Sequence, residues 1–164
     1  MAIDLVCNTG PILALGKMGL LDELPSLGLN FAFPRAVADE LDLGVRMGFP
    51  IPRPASIPVL EHEANPSFEA ALDRGEAAVL HLALVLGVGC VCIDEWRGRR
   101  AAHALGLRVI GSLGILGRMF LNGIVTDLRQ TIEKATLAGV WYDPALLERF
   151  LNSVESKGKP SSAP

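Results

Sequence analysis

Residues 90–116 read CVCIDEWRGRRAAHALGLRVIGSLGIL. The apolar run Cys90–Ile93 stops at two acids, Asp94 and Glu95. Arg97, Arg99 and Arg100 follow within a stretch that reads as a helix to Gly106. A second apolar run, Leu107–Ile110, then ends in Gly111 and Ser112, and SLGILGRMFLNG reads as another helix. Strands buried on both faces read as continuous apolar runs, and two of them joined through a helix imply a parallel pair.

The same alternation extends toward the amino end. IDLVC is a first strand, and Asn8 or Thr9 can cap the helix after it, with Pro11 in its first turn. Leu15, Met18, Leu21 and Leu24 continue one helical face until Pro25 and Gly28. LNFAFP is a second strand, and RAVADELDLGVRMG is a helix with Val37 and Leu41 on one face. PIPRPASIP is a proline-rich loop and IPVLEHE a short strand. NPSFEAALDRG reads as a helix from Asn65 to about Gly75, and GEAAVLHLALVLG as a second one with Val79, Leu82, Ala83 and Leu86 inward. TDLRQTIEKATLAG and DPALLERFLNSV supply two C-terminal helices. The expected fold is α/β with a central, mainly parallel sheet, in one domain over residues 1–155, followed by a flexible tail at 156–164.

Composition narrows the function classes. The 164 residues are enough for one domain with its own core. Half are hydrophobic and the mean hydropathy is +0.37, yet no apolar stretch has the length of a membrane span. MAIDLVCN has no basic n-region, so no signal peptide is expected and the protein is expected in the cytoplasm. Cys7, Cys90 and Cys92 are expected as small buried hydrophobes rather than disulfide partners. His62, His81 and His103 have no zinc-ligand spacing. A net charge of −3 excludes a broadly basic nucleic-acid coat and leaves room for a local basic patch.

In open parallel sheets ligands bind beyond the carboxyl ends of the strands. Asn8 and Thr9 end the first strand, Asp94 and Glu95 the CVCI strand, and Ser112 follows LRVI. Glu40 and Glu76 lie on helices that can lean over the same edge. Each has an ordinary alternative: a solvated helix residue for Glu40, a favourable charge at a helix N-terminus for Glu76, a helix cap for Asp94. Together they form an oxygen-rich set of the kind that hard Mg²⁺ or Mn²⁺ ions take. Such ions activate water for phosphodiester hydrolysis, and Arg97, Arg99 and Arg100 can hold the anionic backbone, with Arg108 and Arg118 as outliers.

NTGPILALGKMGLLDELP, FPRAVADEL, DRGEAAVLHLALVLG and CIDEWRGRRAAHALGLRVIGSLGIL, in this order, resemble PIN-domain proteins over about residues 3–150. The nearest likeness is to a PIN-like subgroup similar to VapC-type toxins. The resemblance implies a three-layer α/β/α fold and a metal-dependent endoribonuclease acting on RNA. It also implies a homodimer, and an antitoxin protein as partner. Glu40, Glu76 and the Asp94–Glu95 pair match the family's acids and would hold Mg²⁺ or Mn²⁺ with Asn8. Arg99 matches a recurrent arginine and Ser112 a hydroxyl position; with Asn8 and Thr9 they would meet the substrate.

One position departs from the family. The first strand should end in an acid and here ends in Asn8. Asp4 is no substitute, because four strand residues span about 13 Å. A neutral ligand weakens cation binding, so a second reading is a PIN-like RNA- or protein-binding module without catalysis. A phosphoacceptor receiver domain fits worse, lacking the acidic pair after the first strand and a lysine after the last. Leu15, Met18 and Leu21 are either a groove for a partner helix or plain core.

Overall fold

Five short apolar runs become strands: β1 (Leu5–Cys7), β2 (Phe31–Pro34), β3 (Val59–Leu60), β4 (Cys90–Cys92) and β5 (Arg108–Ile110). They form one parallel sheet in the order β3-β2-β1-β4-β5. The structure is a computed structural model and describes residues 2–158. β1 is central, with Val6 registered on both Ala32 and Val91, and Cys7 on Cys92. Val6, Cys7, Ala32, Phe33 and Val91 are all buried, as strands covered on both faces require.

The helices are α1 (Thr9–Met18), α2 (Arg35–Arg46), α3 (Pro66–Glu69), α4 (Arg74–Leu86), α5 (Trp96–Ala104), α6 (Ser112–Leu121), α7 (Leu128–Leu137) and α8 (Pro144–Gly158). α4 crosses β1, β2 and β4 and touches α2, α3 and α5. On the other side α1 packs on α6 and α7, and α6 on α8; α2 bridges the two layers at the edge. This is the three-layer α/β/α arrangement. From β1 the chain steps to β2, and from β4 it steps the opposite way to β5. Right-handed crossovers therefore send α1 and α5 to opposite faces. The connections part at the carboxyl ends of β1 and β4 and leave a crevice there.

Several boundaries differ from the sequence reading. The expected helix from Asn65 to Gly75 is one turn long. Asn65 caps it by accepting from the Ser67 N–H at 3.0 Å, but the chain is recaptured at Asp73. Asp73 accepts from the Glu76 N–H at 2.7 Å and starts α4, so Gly75 lies inside the new helix. Leu86 is 44 % exposed rather than inward, because α4 ends there and Gly87 turns the chain in a left-handed conformation. Asn8 occupies the N-cap of α1 without a side-chain cap bond. Leu21 and Leu24 sit in a 3₁₀ segment over Leu21–Leu27 rather than in α1. Leu15 and Met18 are buried and Leu21 packs on the core, so that face is core and not an open groove. α8 continues to Gly158, into the stretch expected as tail; residues 159–164 lie outside the described region.

Asp4 accepts from the Asn30 N–H at 2.8 Å, at the amino end of the sheet and far from the crevice. Cys7 and Cys92 are buried free thiols, and Cys90 is half-buried. His62 Nε2 and His81 Nδ1 lie 2.9 Å apart, and His81 Nδ1 also accepts from the Asn65 N–H, which ties the chain after β3 to α4. Among the described residues no helix is long and apolar enough to cross a membrane. Phe33, the largest fully buried side chain of β2, anchors this packing. Phe33→Ala is expected to cost about 3–5 kcal/mol in urea unfolding; a loss below about 1 kcal/mol would contradict the core assignment.

Candidate metal and nuclease site

The crevice is built from loop residues that the strands aim. Asn8 follows β1 and is anchored by its N–H donating to the Cys92 carbonyl at 2.9 Å. Its side chain does not cap α1. Nδ2 instead donates to Glu95 Oε2 at 3.3 Å, across the junction of β1 and β4. Thr9 Oγ1 donates to Glu40 Oε2 at 2.8 Å and draws the exposed Glu40 of α2 over the same edge. Glu76 is 4 % exposed and completes a capping box, its Oε2 accepting from the Asp73 N–H at 3.3 Å. The ordinary helix-end explanation for Glu76 is thus correct but incomplete. A capping glutamate has no need of such burial, and its other oxygen is directed elsewhere.

Three glycines let these oxygens converge. A methyl group on Gly75 would stand 3.1 Å from Asn8 Oδ1, 3.2 Å from Glu40 Oε2 and 3.4 Å from Asp73 Oδ1. On Gly98 it would stand 2.9 Å from Glu76 Oε1, and on Gly10 it would overlap Glu95 Oε1. Asn8, Glu40, Glu76 and Glu95 therefore line one crevice, with Asp73 as a further oxygen. Asp73 was readable in principle, because D-x-x-E before an apolar run is a capping-box pattern. The glycines carry no signal in an isolated sequence.

Asp94 belongs to a neighbouring network. Its Oδ1 accepts from the Ser112 N–H at 2.7 Å, so it caps α6 from outside, and its carboxylate lies beside Arg99. Ser112 is fully buried and its Oγ pairs with the Tyr142 hydroxyl at 2.9 Å. Burial pushes that phenol up to about 12. Tyr142, between α7 and α8, had no signal in the sequence. The structure thus brings Asn8, Thr9, Glu40, Glu76 and Glu95 together and sets Asp94, Arg99 and Ser112 as a second cluster at the next strand end.

Burial raises the Asp94 carboxyl above its ordinary range, against the Ser112 N–H and Arg99. Burial also raises Glu95, and the charges of Asp94 and Glu76 add to it. A carboxylate set that repels itself in a partly dry crevice favours a positive charge. The donors are carboxylate, amide and hydroxyl oxygens, the chemistry a hard divalent cation takes. Among the described residues, however, no three His, Cys, Asp or Glu side chains already close around a single point. The set fits a cation held by one or two carboxylates and water, as Mg²⁺ prefers, better than an all-protein cage.

The arginines divide. Arg99 Nη1 donates to the Ile93 carbonyl at 3.0 Å and Arg97 Nη2 to the Ala71 carbonyl at 2.8 Å. Arg99 thus belongs to the Asp94 cluster, and Arg97 ties α5 to the segment before α4. Arg108 opens β5, and both Arg108 and Arg118 lie near Cys90 at the opposite end of the sheet, away from the site.

The chain matches a family model described as PIN domain over residues 4–156. No curated protein and no solved structure matched it.

The raised carboxyls set a pH dependence. Their folded forms bind protons more tightly than the unfolded chain. The stability this contributes is complete below the ordinary values of 3.8 and 4.5 and is lost as pH rises through the raised folded values. Without added metal, the wild type should therefore gain stability relative to Asp94→Asn as pH falls through that window. Urea unfolding across pH measures the difference, and a flat difference would contradict a desolvated Asp94.

Proposed function

The chain belongs to the PIN-domain family, and from that membership and its crevice of acids we propose that it is a Mg²⁺- or Mn²⁺-dependent endoribonuclease. PIN domains are generally nucleases that use divalent metals. The observation that carries the reading here is the convergence of Asn8, Glu40, Glu76 and Glu95 at the β1–β4 switch point.

Glu76, Glu95, Glu40 and Asn8 would hold the ion. A divalent cation bound there supplies Lewis acidity at phosphorus and lowers the pKa of water. The chain's own groups do the rest. One carboxylate of the set would take the proton of the attacking water. Thr9 fixes Glu40, and Asn8 fixes Glu95. Asp94 has Oδ1 committed to the Ser112 N–H and acts as a positioning residue that locks the start of α6. Arg99 and Arg97, each tethered to a backbone carbonyl, would offer positive charge to a phosphodiester.

Of the Asp94–Glu95 pair, this reading makes Glu95 the ligand. The neutral Asn8 favours the second reading, a module that binds RNA or protein without cutting. As in the resemblance, the proposal includes a homodimer in the cytoplasm and a toxin role countered by an antitoxin. Exposed Leu43, Val45, Met47 and Phe49 at the end of α2 offer apolar surface for such contacts.

Glu76→Gln separates the two main readings. Glutamine keeps an oxygen for the Asp73 N–H and so preserves the cap of α4. Cleavage of a mixed RNA pool with Mn²⁺ should fall at least about a hundredfold, the usual scale for a removed electrostatic or acid–base group. Undiminished cleavage would remove Glu76 from the site, and a wild type that binds RNA without cutting it would favour the module. Gly10→Ala should also weaken cleavage by displacing the Glu95 carboxylate while the far-UV circular dichroism stays unchanged.

A further inference from the structure

Trp96 follows Glu95 directly and is 69 % exposed. An exposed indole offers a flat apolar face with a polar edge. Trp96 is the first residue of α5, next to Glu95 at the N-cap of that helix. Arg100, one turn later, places its guanidinium carbon 5.3 Å from the Trp96 ring centroid. That cation–π contact steadies the ring and adds positive charge beside it. Arg97 and Arg99, on the same helix, are already fixed to backbone carbonyls. A flat π-face flanked by cations, one residue from the acids, matches one repeating unit: a phosphodiester with a base beside it.

We propose that Trp96, backed by Arg100, is the stacking platform for an unpaired base adjacent to the scissile phosphate. Such a platform takes only a base that is not paired. The inference rests on the ribonuclease reading above. A base can lie on Trp96 only if it is splayed out of a helix, because a paired and stacked base exposes only its edges.

The chain has two tryptophans, so Trp141→Phe leaves Trp96 as the only reporter. In a Trp141→Phe/Glu76→Gln protein, a fluorescently labelled single-stranded RNA of about ten nucleotides is titrated with Mg²⁺ present. Label anisotropy reports RNA binding and Trp96 emission reports stacking. Saturable quenching by the single strand, and little by a blunt duplex of the same sequence, is the expected result. With an otherwise wild-type enzyme, Trp96→Ala should raise KM roughly tenfold or more, and by more than it lowers kcat. Trp96→Phe should restore most of the loss. The Mn²⁺-induced rise in unfolding midpoint should be the same in Trp96→Ala as in wild type.

RNA that binds or is cut while Trp96 emission and the KM of Trp96→Ala stay unchanged overturns this inference and leaves the ribonuclease reading intact. Equal quenching by the duplex overturns the stacking role, because a paired base cannot lie on the ring. RNA that neither binds nor is cut overturns both, and a purified protein partner that quenches Trp96 in its place identifies the ring as a protein contact.

Discussion

The pairing of β1 with β4 at the centre of the sheet sets the rest of the molecule. Val6 on Val91 and Cys7 on Cys92 bring two buried strands into register, and their ends lie side by side. Because the chain leaves β1 in one direction and β4 in the other, no crossover covers that junction. Asn8 and Glu95 meet there through a side-chain hydrogen bond. A slip of one residue in this register would turn the strand side chains to the other face and separate the two groups.

At that junction the protein accepts an electrostatic conflict. Glu76 is buried, Glu95 and Asp94 are partly dry, and their charges oppose one another. Some relief comes from backbone. α1, α5 and α6 all begin at this end of the sheet, and none has a side-chain cap from its own N-cap residue. Their positive N-terminal ends therefore face the acids. For α6 the relief is explicit, since Asp94 accepts from the Ser112 N–H. Glu95, raised by burial and by the neighbouring acids, is the charge a divalent cation would neutralise.

Much of this was legible in the sequence because it depends on local pattern. Continuous apolar runs ending in Asn8 and in Asp94–Glu95 marked the parallel strands, and the strand-end rule pointed to the edge where the structure brings Asn8, Glu40, Glu76 and Glu95 together. Three things were not legible. The one-turn helix at Pro66–Glu69 looked longer because its composition is helical throughout; only the capture of the Glu76 N–H by Asp73 ends the continuity. The division between Asp94 and Glu95 depends on which carboxylate reaches the Ser112 N–H, a tertiary contact between residues 18 apart. Gly10, Gly75 and Gly98 matter through what lies against them from other elements, and Tyr142 through a contact 30 residues away.

The central claim is that the crevice binds a divalent cation through Glu95 and its neighbours. Thermal unfolding of wild type and Glu95→Gln, with and without Mn²⁺, tests it most directly. A ligand at a hundred times its dissociation constant stabilises by about 2.7 kcal/mol, which is a rise of several degrees for a chain of this length. That rise is expected in the wild type and its loss in Glu95→Gln. No Mn²⁺-dependent rise in the wild type, or an equal rise in both proteins, would contradict it.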